Sequence, residues 1–127
     1  MSLSGTRSAS HSMDYNLDGK TFRSVANTEN GDVSGETIFH YRQRGTVVTA
    51  TYAGGGVIAG HLIANLLPNG QLDMRYHHVN AGGELMLGTC LSTPRLPADG
   101  RLAFSEVWQW LSGDMSSGRS EIEEVRA

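Results

Sequence analysis

The run FSEVWQWLSGD (104–114) holds both tryptophans of the chain, one residue apart, with a glutamate two positions before the first. In an extended strand alternate side chains share a face, so Phe104, Glu106, Trp108 and Trp110 look the same way. Two indoles about 7 Å apart by strand rise can form a stacking wall for a planar or sugar-like ligand. They can equally be core, since each ring buries roughly 150–250 Å². Glu106 is the sharper feature. A lone carboxylate on an apolar face is costly unless it is paired or neutralised. It must meet a partner, keep its proton or reach water. Arg23 and Arg75 are the candidate partners for an interior ion pair. The functional counterpart is an acid of raised pKa that addresses a ligand.

A second group sits in MRYHHVN (74–80). Tyr76 and His78 share a face with Leu72 and Met74, while Arg75 and His77 share the other. With the Leu72 face inward, Tyr76 and His78 join Glu106, Tyr41 and Tyr52 as polar groups of one interior. Apolar walls with a few convergent polar groups are the profile of a ligand pocket; a hydrogen-bond network without a ligand has the same profile. His77 and His78 point apart and cannot chelate one metal together. His40, His61 and His78 carry no metal-ligand spacing, so no metal is expected. Cys90 lies in mid-strand and reads as a buried thiol, not a nucleophile. The echoes GDVSGE (31–36) and GDMSSGR (113–119) place Asp32, Ser34, Asp114 and Ser116 in loops. There they cap their own backbone, with an anion nest as the alternative.

These residues need elements to position them, and the turn signals supply the frame. ENGD (29–32), RG (44–45), GGG (54–56), PNG (68–70), NAGG (80–83), PADG (97–100) and SGDMSSG (112–118) mark reversals, because positive φ is cheap at Gly and Asn. They divide the chain into eight strands, at about 20–28, 36–43, 46–53, 57–67, 71–79, 84–93, 101–111 and 119–126. VIAGHLIANLL (57–67) is apolar on both faces, and Gly60 suggests a bulge. The last segment can alternatively be a short helix. Eight sequential strands leave two open edges unless they close. The expected fold is all-β: an eight-stranded antiparallel up-and-down barrel of the calycin or lipocalin type. A two-sheet sandwich is the alternative.

Composition sets the outer limits. The chain has 127 residues, enough for one domain. Net charge is −3, and nine of the ten basic residues are scattered arginines. That argues against nucleic acid or an anionic membrane as partner. One cysteine permits no internal disulfide, and a reducing cytoplasm is the expected compartment. Residues 1–13 are Ser-rich and unpatterned, and read as a disordered leader or added extension, with the barrel domain over 14–127.

The strings GKTFRSVANTENGDVSGETIFHYRQ, LDMRYHHVNAGGELMLGTCLSTP and WQWLSGDMSSGRSEIEE resemble a family of small bacterial proteins. The likeness runs from about Tyr15 to Val125, and members often carry the label "N-acetylglutamate synthase". The resemblance implies a small calycin-like barrel. The label implies an acetyltransferase, whose acetyl-CoA loop would precede a helix. Here GGGVIAG (54–60) instead opens a strand and lacks the helix dipole that holds phosphate.

Three readings follow. The first is a non-enzymatic barrel binding a small hydrophobic or aromatic-stacking molecule, with no cofactor. Its binding residues would be Glu106, Trp108, Trp110, Tyr76, His78, Tyr41 and Tyr52. The second is an enzyme, either the acetyltransferase of the family label or an acid/base catalyst using Glu106 and His78. The third is an interaction module, homodimeric through the exposed side of a strand.

Overall fold

The computed structural model describes residues 15–96 and 99–125. The proposed leader, 1–13, lies outside the described residues. Eight strands follow in order: β1 (Thr21–Asn27), β2 (Ile38–Arg44), β3 (Val47–Gly54), β4 (Val57–Leu66), β5 (Leu72–Asn80), β6 (Leu85–Arg95), β7 (Ala103–Trp110) and β8 (Ser117–Glu124). Each pairs antiparallel with its sequence neighbour, and β8 returns to pair with β1, closing the barrel. The up-and-down barrel expected from the turns is the fold observed, and the sandwich is not. Residues 117–124 form a strand, not a helix, because both edges of the opening need a partner there: β8 bonds to β7 and β1 at once.

Alternation decides which side chains enter. On β5, Leu72, Met74 and His78 are buried between exposed Asp73, Arg75 and His77. On β7, Phe104, Glu106, Trp108 and Trp110 are all buried, while Val107 and Gln109 face out. The β2–β3 reversal takes two residues, with Gly45 at φ 61° where other residues are strained.

The interior is layered along the axis. At one end the segment before β1 crosses the opening. Leu17 is fully buried, and Tyr15 packs edge-on against Phe104 at 5.8 Å. Phe22 contacts both Tyr41, at 5.0 Å, and Phe104, at 5.7 Å. This aromatic floor seals the barrel. Along β7 the chain then climbs from Phe104 through Glu106 to the two indoles, so the floor, the acid and the tryptophans lie at successive depths.

One expectation needs correction. The irregularity in β4 falls between Val57 and Ala59, around Ile58, and Gly60 keeps regular register with Tyr52 and His78. Glycine at 60 serves space, not a bulge: a Cβ there would stand 2.5 Å from the Tyr52 ring.

Candidate functional site

Glu106 sits on β7 directly between two serines. Ser92 on β6 and Ser120 on β8 are its register partners. Ser92 Oγ donates to one carboxyl oxygen at 2.7 Å, and Ser120 Oγ donates to the other at 3.0 Å. Cys90 Sγ lies 3.6 Å from Ser92 Oγ and extends the chain of polar groups. Burial pushes the Glu106 carboxyl above its ordinary range, against the opposing pull of the two serine hydrogen bonds. The same desolvation pushes the Cys90 thiol well up. The ion pair with Arg23 or Arg75 does not form. Both arginines alternate with buried neighbours and stand exposed on the outer wall, where Arg75 pairs with Asp73 at 2.7 Å.

The indoles lie above the acid. Their centroids are 5.4 Å apart with planes tilted by 57°. A buried indole N–H needs an acceptor, and both are found on the chain leaving β1. Trp108 Nε1 donates to Asn27 Oδ1 at 3.1 Å, and Trp110 Nε1 donates to the Asn30 carbonyl at 3.1 Å. These bonds draw the β1–β2 loop across this end of the barrel.

The loop also brings an acid. Asp32 Oδ2 lies 2.9 Å from His78 Nε2, and His78 Nδ1 lies 3.0 Å from the Tyr52 hydroxyl. His78 is 1% exposed, so both ring nitrogens are satisfied inside the protein. Asp32 was read from sequence as a turn residue capping its own backbone. Its loop counterpart Asp114 does that, accepting from Ser116 N at 2.9 Å. Asp32 instead reaches into the barrel. Burial raises the Tyr52 and Tyr76 phenols far above the usual range, so both stay neutral.

These groups line a partly open cavity of about 50 Å³. Five aromatic residues line it: Phe39, Tyr52, Tyr76, Trp108 and Trp110. Leu62, Met74 and Val33 add aliphatic wall, while Glu106, His78, Asp32 and Asn27 supply the main polar groups. Six of the seven residues nominated from sequence therefore share one cavity wall: Glu106, Trp108, Trp110, Tyr76, His78 and Tyr52. Tyr41 lies a layer deeper, against Phe22 and Phe39, and does not line it. Sequence reasoning missed Asp32, Asn27 and Phe39. For Phe39 a signal existed, because it shares the inward face of Tyr41 and pairs with Tyr52 across the strands.

Other sequence candidates do not converge. His40 and His61 are exposed on the outer wall, His61 facing His77 at 5.9 Å between ring centroids, while His78 is inside. No three His, Cys, Asp or Glu side chains cluster as metal ligands among the described residues.

Comparison with curated proteins and with solved structures returns no match. Comparison with family models returns one family, described as avidin-like protein, over residues 15–125. That stretch takes in all eight strands and every residue lining the cavity, and the chain accordingly belongs to the avidin-like family.

Proposed function

We propose that this protein is a non-enzymatic binding barrel, holding a small molecule in the cavity beneath the β1–β2 loop. Trp108, Trp110, Tyr52 and Tyr76 would supply the stacking and edge contacts, and Glu106 and His78 the polar ones. One observation carries the reading. Five aromatic side chains and a buried carboxyl surround a space at the end of the barrel away from the sealed floor. Membership of the avidin-like family supports small-molecule binding. The volume supports a compact occupant: about 10–15 Å³ of such space holds one water, so about 50 Å³ accepts a group of a few heavy atoms.

A ligand-observed NMR screen of fragments of about ten heavy atoms or fewer tests this, with native mass spectrometry of the protein as isolated. At least one fragment, or a co-purified compound, should bind the wild type and be lost in Trp110→Ala while the variant remains folded. Binding by nothing in the screen, or binding indifferent to Trp110→Ala, overturns the reading. Acetyl-CoA with glutamate should leave the melting temperature unmoved. A rise would transfer the protein to the N-acetylglutamate synthase-like acetyltransferases.

The reading includes a homodimer through the outer wall of β6 and β7, supported by exposed Leu85, Leu87, Leu91 and Val107. A concentration-dependent mass in sedimentation checks it. It also includes a cytoplasmic location, supported by Cys90, which is buried and unpaired.

A further inference from the structure

The sign of the cavity wall narrows the ligand. Two carboxylates, Asp32 and Glu106, line it, and neither a lysine nor an arginine does. Asp32 is matched by His78. Glu106 has the Ser92 and Ser120 hydroxyls and the Cys90 thiol as partners, and no cation among the described residues. Around it stand aromatic rings, whose faces carry negative electrostatic potential. Trp110 packs edge-on against Tyr76 at 5.7 Å and tilted against Trp108 at 5.4 Å between centroids, and all three rings line the cavity, where a cation within roughly 6 Å of a ring face is attracted to it.

We propose that the part of the ligand buried in this cavity is a small organic cation, an alkylammonium or quaternary ammonium head, held against Trp108 and Trp110 with Glu106 as its counter-ion. This rests on the binding reading above and names the class of ligand. An anionic group meets two acidic side chains there and neither a lysine nor an arginine to receive it. A neutral alkyl group fills the space but leaves the acid with nothing to do. The ammonium ion instead gives the buried carboxyl the counter-ion that the Ser92 and Ser120 hydroxyls do not supply, leaving a carboxylate–ammonium pair.

Calorimetric titration at pH 7 with three compounds of nearly one shape tests the assignment. They are choline, its neutral carbon isostere 3,3-dimethylbutan-1-ol, and the anion pivalate. Choline should bind at least tenfold more tightly than the alcohol, and pivalate should not bind. Glu106→Gln should bring choline down to the affinity of the alcohol. Trp110→Phe, with a weaker ring face, should weaken choline and leave the alcohol unchanged. Equal or tighter binding of the alcohol overturns the cation and leaves the binding barrel standing. So does failure of all three compounds in a protein that binds other fragments at Trp110. Failure of these compounds together with an empty fragment screen overturns both readings.

Discussion

Ser92 faces Glu106 across the β6–β7 ladder, and its hydroxyl donates to the buried carboxyl at 2.7 Å. Ser120 does the same from β8, at 3.0 Å. The acid on the apolar face is thus accommodated by its two strand neighbours at its own level, without crossing the barrel to a base. Serine hydroxyls can donate to a carboxylate or accept from a carboxylic acid. The network therefore survives loss or gain of the proton, and desolvation tips the balance toward the protonated form.

That balance gives Glu106 a signature in stability. Its unfolded pKa is near 4.3, and its folded pKa is raised. Between the two values the native state binds more protons than the unfolded state, so stability falls as pH rises. The contribution is fully present below the unfolded value and is lost as pH climbs through the folded one. Glu106→Gln is neutral throughout and lacks the effect. In urea unfolding from pH 4 to pH 8, the stability of the variant relative to wild type should rise with pH and then level off. A difference that stays flat over this range would show that the carboxyl titrates normally.

Tyr41 and Tyr52 make a matched pair. Both are buried on the inner face, at 2% and 4% exposure. The Tyr52 hydroxyl bonds to His78 Nδ1 at 3.0 Å. The Tyr41 hydroxyl has no hydrogen-bond partner among the described residues, while burial keeps it neutral. A buried polar group left unpaired costs about 1–3 kcal/mol. Tyr41→Phe should therefore be neutral or stabilising by up to about 1 kcal/mol. Tyr52→Phe, which strips His78 of a partner, should lose about 1–2 kcal/mol. Thermal unfolding separates them, and equal losses in the two variants would mean that the Tyr41 hydroxyl is satisfied by a bound water.

The inward face of β7 was legible because strand period is a strictly local rule. One run of sequence fixes Glu106, Trp108 and Trp110 together, and the same rule places Tyr76 and His78. Parity also spoke against Arg75 as a partner for Glu106, since it alternates with Met74 and Tyr76. The true partners required the register of three strands, which alternation within one strand does not contain. Asp32 was illegible for a different reason. Its route over the barrel is set by Trp108 and Trp110, some 80 residues away, binding Asn27 and Asn30, and nothing in GDVSGE announces that. Gly60 shows a signal correctly noticed and wrongly explained. A glycine inside a strand can mark a bulge or a close approach, and only the Tyr52 ring opposite it decides.

The same close approach recurs at three inner positions, and it yields the last prediction. Tyr52 stands opposite Gly60, Tyr76 opposite Gly88, and Trp108 opposite Gly118. In each case the aromatic ring lies over the glycine where a Cβ would be. At Gly88 the atoms in the way belong to the Tyr76 ring and hydroxyl. Glycine in a strand ordinarily weakens it, so alanine is often an improvement. At Gly88 the reverse should hold, because the added methyl must push Tyr76 off its seat and toward the cavity. Overpacking of this kind costs about 1–3 kcal/mol. Gly35 provides the control, since a Cβ there makes an ordinary contact of 3.7 Å with the Ser24 carbonyl and should change stability by less than about 0.5 kcal/mol. Urea unfolding should find Gly88→Ala destabilised and Gly35→Ala close to wild type. Fragment hits that depend on Trp110 should weaken in Gly88→Ala alone, since the displaced Tyr76 ring takes up part of the cavity. Equal stability of the two variants would mean that Tyr76 moves aside freely and that the wall of the cavity is softer than its ring packing implies.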